Sequence, residues 1–333
     1  MTAGEIAADP GRWLEERRKG ITATDAAVIL TGGYANQSPF KLWHQKAGNL
    51  PPDEDSDFLR HCRYQEAECA ELWEERAGAG SLDDGGLWRD GWRMATPDRL
   101  VFAHDREDEP APLTGVLECK SVGSWDGWGH GLGKPCTPDC PAPLLTEMRS
   151  SPPELRGYCL MSRQVPGYVR VQALWQADVL GVPVGHVGAL HRLTGEFRWY
   201  TLDAWNGMEQ DDAFAVCRQF HQSVKLGQAP PVDGAEATTA ALKALHHPAD
   251  PPRTAFLDRA LVNVWEEQRE QAKRYEALAK LTQNKVRLVM GDAKYARYID
   301  EEGQEWQVAT RIVSKVAGHE RDEIEYERIA CDD

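Results

Sequence analysis

Two short stretches of the sequence carry acidic and basic residues whose spacing suits phosphodiester chemistry. The first contains Asp98, and the second contains Glu118 and Lys120 two positions apart. Apolar residues around both predict adjacent strands joined by a turn, and residues two apart in a strand point to the same face. Metal-assisted phosphodiester cleavage requires carboxylates that hold Mg²⁺ through oxygen and an ammonium that positions water and offsets negative charge. The alternative is a solvated hairpin whose charges face water.

The composition limits the classes of protein to which this chain can belong. The chain has 333 residues, 41% hydrophobic and 27% charged, which is enough for one large domain or a domain with an appendage. No apolar run reaches the length of a membrane-spanning helix, and the N-terminus lacks the pattern of a secretory signal, so we expect a cytoplasmic protein without a membrane partner. Eight scattered cysteines then predict reduced thiols.

The net charge of −15 argues against broad nonspecific binding to nucleic acid. It does not exclude a nuclease, because metal-binding carboxylates are acidic and a local basic channel can lie on an acidic body. The sequence shows no basic tail or arm. Any DNA channel must therefore be assembled from dispersed arginines.

Apolar periodicity places the remaining candidate residues on helices. Residues 9–30 predict two helices around a turn at Gly20, with Thr24 as the N-cap of the second. Residues 58–77 predict a helix that carries Glu66. Residues 92–103 and 113–122 predict the two strands described above, and residues 168–181 predict a helix stopped by Gly181.

The domain organisation follows from shifts in composition. We predict a core over residues 1–226, with a long Cys/Pro/Gly-rich insertion at 123–157. Residues 227–254 are rich in proline and predict a linker. Residues 255–333 predict an extension, a long charged helix with weak heptad-like spacing followed by a hairpin and an acidic tail. That helix could cover the core edge, mediate self-association or dock a partner.

The order of these features resembles the YqaJ-like viral recombinase family, lambda-exonuclease-like members of the PD-(D/E)XK nuclease superfamily. The resemblance covers roughly residues 12–205. It rests on five blocks taken in order: Gly20 to Ala27, Glu66 to Gly78, Ala95-Thr96-Pro97-Asp98, Leu117-Glu118-Cys119-Lys120, and Tyr168-x3-Gln172-x3-Gln176-x4-Gly181. It implies a restriction-endonuclease-like α/β core, with a central mixed sheet flanked by helices, followed here by a helical C-terminal extension.

The resemblance also implies roles for individual residues. Asp98, Glu118 and the backbone carbonyl of Cys119 would bind the metal, and Glu66 would lie near a second metal or the water network. Glu68 competes with Glu66 for that role, and Cys62 stands where the family usually has glycine. Lys120 would orient the attacking water. The remaining site residues would be Gln172 beside the metals, Gln176 one turn along as a substrate contact, and Arg17 with Thr24 at the terminal 5′-phosphate, with Arg18 as an alternative to Arg17.

Hard oxygen donors favour Mg²⁺, with Mn²⁺ as a substitute, over zinc. For Cys136 and Cys140 we expect free loop thiols rather than a zinc site, because C-x3-C lacks an obvious fourth ligand. The activity implied by the resemblance is 5′→3′ digestion of linear double-stranded DNA, leaving 3′ single strands for phage-type recombination in a bacterial host. A single-strand annealing protein and a homo-oligomeric ring are the partners it implies.

Two other functions remain open from the sequence. One is a noncatalytic module that binds DNA ends or proteins through a degenerate nuclease site. The other is an endonuclease or nickase of the same superfamily.

Overall fold

The computed structural model describes residues 9–33, 36–54, 56–77, 80–103, 111–129, 164–205, 207–246, 253–300, 305–316 and 319–330. The chain divides into two compact units, Met1–His247 and Pro248–Asp333. No helix in these residues has the length and apolarity needed to span a bilayer.

The first unit alternates helices and strands along the chain. In order, its elements are α1 (Pro10–Arg18), α2 (Ala23–Thr31), α3 (Pro39–Lys46), α4 (Asp57–Ala77), β1 (Ser81–Asp84), β2 (Trp88–Asp90), β3 (Arg93–Ala95), β4 (Arg99–Phe102), β5 (Leu113–Val122), α5 (Gly167–Leu180), β6 (Val184–His191), β7 (Phe197–Asp203), α6 (Gly207–Leu226) and α7 (Glu236–Leu245).

A mixed sheet forms the centre of this unit. Within the described residues its strand order is β1-β4-β5-β6-β7. The β5–β6 pair is parallel and the other neighbours are antiparallel. The predicted fold class, a mixed α/β core with helices flanking a central mixed sheet, is therefore confirmed.

The central strand β5 is covered on both faces, and its side chains alternate between two helices. Leu117 and Cys119 pack in a cluster with Trp73 of α4. Val116 packs instead with Ala177 of α5. This alternation follows from the two-residue period of a strand. It directs the side chain of Glu118 towards α5 and that of Cys119 towards α4.

Helices α1 to α3 pack near β3 through a tight turn at Gly20. A Cβ at Gly20 would lie 2.5 Å from the carbonyl oxygen of Trp92, so only glycine fits there. The N-cap of α2 is Thr22, whose side chain accepts from the amide of Asp25 while the Asp25 carboxylate accepts from the Thr22 amide. The prediction of Thr24 as the N-cap was wrong, because Asp25 completes a capping box only with Thr22.

Two predicted boundaries differ from the structure. Residues 92–103 form two strands, β3 and β4, rather than one, because Pro97 lacks an amide hydrogen to continue the ladder. The segment predicted as a linker at 227–254 contains α7. Ala241 of α7 packs with Phe40 and Leu50, and the Ser38 and Thr238 hydroxyls lie 2.7 Å apart.

The second unit contains α8 (Arg259–Met290), β8 (Tyr295–Ile299), β9 (Glu305–Val316) and β10 (His319–Ala330). Its described strands form an antiparallel sheet in the order β10-β9-β8. Met290 and Ala309 are buried within it. The sequence predicted the long helix and a hairpin, and the structure adds a third strand where an acidic tail was expected.

Candidate active site

Asp98 lies directly before β4, in the position where the chain turns back into the central sheet. Its Oδ2 accepts a hydrogen bond of 2.7 Å from the backbone amide of Cys119 on β5. The antiparallel register that pairs Arg99 with Leu117 accounts for this contact. The two stretches singled out in the sequence are therefore adjacent, with the Asp98 carboxylate beside the backbone of the Glu118-Cys119-Lys120 segment.

Both carboxylate oxygens of Glu118 are engaged by neighbouring side chains. Glu118 is buried, and its Oε1 forms an ion pair with the ammonium of Lys120. Its Oε2 accepts from Nε2 of Gln176 on α5 at 2.7 Å. Charge-assisted hydrogen bonds of this kind fix the orientation of a buried carboxylate. The Lys120 ammonium is also held in the site by this contact.

Negative charge is concentrated around these residues. Burial raises the pKa of Asp98 well above its usual range, and the nearby carboxylates of Glu118 and Glu66 raise it further. Burial and Glu118 likewise raise the pKa of Glu66 on α4. Glu68, the competing candidate, is exposed. Glu66 is thus the acid of α4 that is electrostatically linked to Asp98 and Glu118.

The oxygen donors of this site suit the predicted divalent cation. Asp98, Glu118 and Glu66 offer hard carboxylate oxygens, and their mutual repulsion would be relieved by a cation. Gln176 adds a buried Oε1 that has no hydrogen-bond partner among the described residues. No three His, Cys, Asp or Glu side chains in the described ranges form a cluster that could by itself hold a metal ion. The chemistry of the donors fits Mg²⁺, but the side chains do not form a closed cage.

The two glutamines of α5 have different partners. Gln172 donates from Nε2 to the hydroxyl of Thr24 at 3.3 Å, whereas Gln176 contacts Glu118. The sequence predicted Gln176 as a substrate contact, which stays a prediction; in this structure its Nε2 also has an intramolecular partner in Glu118. One helix therefore links the Glu118 carboxylate of β5 with the start of α2.

Arg17 and Thr24 lie around the N-terminus of α2, where unpaired amides favour anions. Thr24 is exposed in the first turn, and Arg17 is half-buried. The guanidinium of Arg17 donates to Thr22 Oγ1 at 3.5 Å and stacks 4.7 Å from the ring centroid of Trp13. The neighbouring Arg18 is exposed. Of the two arginines, Arg17 is the one that is fixed beside α2.

A buried ion pair that the sequence did not predict lies behind this helix start. Lys46 of α3 forms a salt bridge of 2.7 Å with Asp25, and each side chain is 6% exposed. The Lys46 ammonium also donates to the carbonyl oxygens of Arg17 and Gly20, at 3.0 Å and 2.7 Å. Burial raises the pKa of Asp25, but Lys46 and Arg17 outweigh it and lower the pKa overall. Lys46 therefore fixes the end of α1, which carries Arg17, and the turn at Gly20 that follows it.

Cys119 has a structural environment on the α4 side of β5. A hydrogen bond with the Cys69 thiol, together with burial, raises the pKa of the Cys119 thiol. Both cysteines are free, as are Cys62 and Cys217. Cys136 and Cys140, the residues considered for zinc, lie outside the described residues. The Cys119 side chain is thus directed away from Glu118, so only the backbone of Cys119 could bind a ligand at this site.

The N-terminal part of the chain is similar to one known protein family. Residues 12–130 match the model of the YqaJ-like viral recombinase domain. This part of the chain is similar to that domain. Arg17, Glu66, Asp98, Glu118 and Lys120 all lie within the matched range. Gln172 and Gln176 lie beyond it, so α5 adds contacts to the matched residues from a later part of the chain.

Individual proteins also resemble this chain. The uncharacterized protein YqaJ of Bacillus subtilis (strain 168) is 25% identical over 298 residues, which cover 85% of this chain and 79% of that protein. The crystal structure of an alkaline exonuclease (LHK-Exo) from Laribacter hongkongensis is similar with a TM-score of 0.42 and 12% identity, covering 65% of this chain and 93% of that one. Its complex with dAMP gives a TM-score of 0.43 and 14% identity over the same shares.

Proposed function

We propose that this protein is a metal-dependent deoxyribonuclease, a 5′→3′ exonuclease that digests one strand of linear double-stranded DNA. The observation that carries the proposal is the convergence of Asp98, Glu118 and Lys120 at neighbouring strands, in a chain with a YqaJ-like viral recombinase domain. Removal of nucleotides from a 5′ end would leave 3′ single strands that suit recombination. A single-strand annealing protein is then the natural partner, and a homo-oligomeric ring would hold the enzyme on its substrate.

Each residue has a role that follows from its contacts. The Lys120 ammonium lies beside Glu118 and would orient the attacking water and neutralise charge on the scissile phosphate. Gln176 would keep the Glu118 carboxylate in one orientation. Gln172, which donates to Thr24, would couple the position of the bound DNA end to the carboxylates. Hydrolysis adds water across one P–O bond and releases the nucleotide from its neighbour.

A divalent cation would bind to Asp98, Glu118 and the Cys119 carbonyl, with Glu66 nearby. Mg²⁺ fits these oxygen donors, and Mn²⁺ would substitute. When bound, the cation supplies positive charge that stabilises the negative charge developing on the phosphate.

The test compares 5′-phosphorylated linear duplex DNA with covalently closed circular DNA. Each substrate is incubated with Mg²⁺ or with EDTA, using wild type and Lys120→Ala, and Lys41→Ala serves as a lysine control outside the site. We expect digestion of the linear substrate alone, in Mg²⁺ alone, with wild type and the control. End-labelling of either strand then reports the polarity.

Three results would count against the proposal. Cutting of the closed circle would indicate an endonuclease or nickase. Digestion that begins at 3′ ends would reverse the polarity. The absence of cleavage in both Mg²⁺ and Mn²⁺, together with retained binding to DNA ends, would favour the noncatalytic binding module.

A second experiment tests the role of Arg17 at the DNA end. A guanidinium binds phosphate through two parallel hydrogen bonds, and a hydroxyl at a helix N-terminus adds a donor. Wild type should digest a 5′-phosphorylated end faster than a 5′-hydroxyl end. Arg17→Ala should abolish that preference, whereas Arg18→Ala should retain it because Arg18 is exposed beside the turn. An equal preference in both variants would exclude Arg17 as the phosphate contact.

A further inference from the structure

Helix α4 packs closely against the sheet along only part of its length. Its buried residues all lie C-terminal to Glu66, and they are Cys69, Ala70 and Trp73. The residues from 57 to 64 are exposed or half-buried. Glu66 therefore lies at the boundary between a packed half and an exposed half of the helix. A helix end that buries little apolar surface opens more readily than a packed one, so a contact at this boundary decides how firmly Glu66 is held.

The hydroxyl of Ser121 on β5 makes a contact at this boundary. It donates a hydrogen bond to Oε1 of Gln65 on α4, and both residues are half-buried. Each partner is the sequence neighbour of a site residue, since Gln65 precedes Glu66 and Ser121 follows Lys120. The hydrogen bond therefore joins the two segments that carry Glu66 and Lys120.

Two further contacts continue the same line between α4 and β5. The thiols of Cys69 and Cys119 are hydrogen-bonded, and Trp73 packs in one cluster with Leu117. Successive contacts are four residues apart on the helix and two residues apart on the strand. Four helical residues rise about 6 Å and two strand residues about 6.6 Å, so the contacts stay in step. Together with the contact at Gln65, this line fixes the rotation of α4 about its own axis.

The rotation of α4 determines where Glu66 points. Successive residues of a helix are about 100° apart around its axis, so Glu66 points to one side of the line when Gln65 lies on it. In this orientation Glu66 is within electrostatic reach of Glu118 and Lys120. Without the contact at Gln65, the line would end at Cys69, and Glu66 would belong to the exposed half of the helix.

We infer that Ser121 and Gln65 are positioning residues of the proposed nuclease, a polar pair that directs Glu66 towards Glu118 and Lys120. The inference rests on the proposed function for its effect on cleavage, whereas the hold on α4 can be tested without cleavage. Neither side chain is assigned a contact with the cation or with DNA. Loss of the pair should therefore act through Glu66.

The first test is the rate at which the full-length protein digests 5′-phosphorylated linear duplex DNA in Mg²⁺ in a single turnover. Ser121→Ala and Gln65→Met each remove the hydrogen bond and should lower the rate by about tenfold. Ser121→Thr keeps the hydroxyl and should retain most of the rate. Ser223→Ala is the matched control, because Ser223 is also half-buried and its hydroxyl bonds within α6. It should digest DNA as wild type does.

A double-mutant cycle separates positioning of Glu66 from a general structural role. In a Glu66→Gln background, Ser121→Ala should lower the rate by less than about twofold, because the residue through which Ser121 acts is already changed. A direct contact of Ser121 with DNA, or a role in holding the sheet together, would lower the rate as much in this background as in wild type. That result would overturn the inference.

Hydrogen exchange tests the hold on α4 in the full-length protein without DNA or metal. Ser121→Ala should speed exchange of the backbone amides of residues 61–66 by about threefold or more, and those of residues 70–77 should exchange as in wild type. If wild type digests no DNA in Mg²⁺ or Mn²⁺, the proposed nuclease fails, and this measurement still decides whether the pair holds α4. Unchanged exchange in Ser121→Ala, or full activity of both single variants in an active enzyme, would overturn the inference.

Discussion

Nε2 of Gln176 donates a 2.7 Å hydrogen bond to Oε2 of Glu118, across the boundary between α5 and the central strand. Both side chains are buried. The contact joins two parts of the chain that are 58 residues apart, and it occupies the carboxylate oxygen that Lys120 leaves available. Gln176 is therefore a positioning residue for Glu118 in this structure.

Replacement of Gln176 should weaken the site without removing any carboxylate. Gln176→Met keeps the side-chain volume but removes the donor, so Glu118 loses its fixed orientation. Loss of such an outer contact typically lowers metal affinity or activity by about 10–100-fold. Calorimetric titration with Mn²⁺ and single-turnover digestion of linear duplex should both show the loss.

Gln210→Met is the control, because Gln210 bonds to Asp178 rather than to Glu118. If Gln176→Met binds Mn²⁺ as wild type does but has a higher KM for DNA, Gln176 is a substrate contact, as the sequence predicted.

The two glutamates near the middle of α4 form a matched pair for substitution. Glu66 is half-buried and lies within electrostatic reach of Glu118 and Lys120, whereas Glu68 is exposed. We expect Glu66→Gln to lower the digestion rate by about 10-fold or more, since it removes a charge that would support the cation. Glu68→Gln should stay within about twofold of wild type. Equal rates for the two variants would remove Glu66 from the site.

The buried pair of Lys46 and Asp25 should dominate the stability of the N-terminal helices. Lys46→Met leaves the Asp25 carboxylate buried without its partner, and we expect it to lower the free energy of unfolding by about 3–5 kcal/mol. Lys41→Met disrupts a more exposed pair with Asp53 and should cost less than about 1 kcal/mol. Urea unfolding at pH 7 measures both. Near-identical midpoints for the two variants would contradict this account.

The stability of the first unit should fall in mild acid because of His186. Burial lowers the pKa of His186 to about 4 from an ordinary value of 6.5, so the unfolded chain binds the proton more readily. The stability that His186 contributes is present above pH 6.5 and is lost as the pH falls from 6.5 to about 4. The loss is about 3 kcal/mol, at about 1.4 kcal/mol per pKa unit.

His186→Gln removes this titration, while an amide can still bond with the hydroxyl of Thr201. Urea unfolding at pH 7 and pH 5 should therefore show a smaller difference for His186→Gln than for wild type. His61→Gln, on the exposed surface of α4, should behave as wild type does. The same pH difference in all three proteins would show that other groups are responsible.

The central part of the site could be predicted from the sequence because its residues are close together along the chain. The two-residue spacing of Glu118 and Lys120 determines their relationship along one strand, and the apolar run around them predicted β5 over its full extent. The position of α5 was predicted closely for the same reason, since its apolar residues and Gly181 define both ends. Such periodic patterns depend on neighbours in sequence alone.

The hydrogen-bond and ion-pair partners of the site residues could not be predicted from such patterns. The contact of Gln176 with Glu118 depends on how α5 packs across the sheet, and the pairing of Lys46 with Asp25 depends on how α3 meets α2. The prolines on both sides of α7 led to the prediction of a linker there. The buried residues of α7 pack against a cluster formed by Phe40 and Leu50. Strand β10 was missed because its many charges outweighed the alternation around Ile324 and Tyr326 in the sequence.

The parallel pairing of β5 with β6 has a consequence for synthesis of the protein. The strands join only after the chain has passed through the whole connection that contains α5. Pairing between strands so far apart in sequence is slow, because closing the long connection costs conformational entropy. During synthesis, Asp98, Glu118 and Lys120 leave the ribosome before Gln172 and Gln176 do. Under the proposed function, a nascent chain would therefore lack the complete site for DNA cleavage until α5 has emerged and docked.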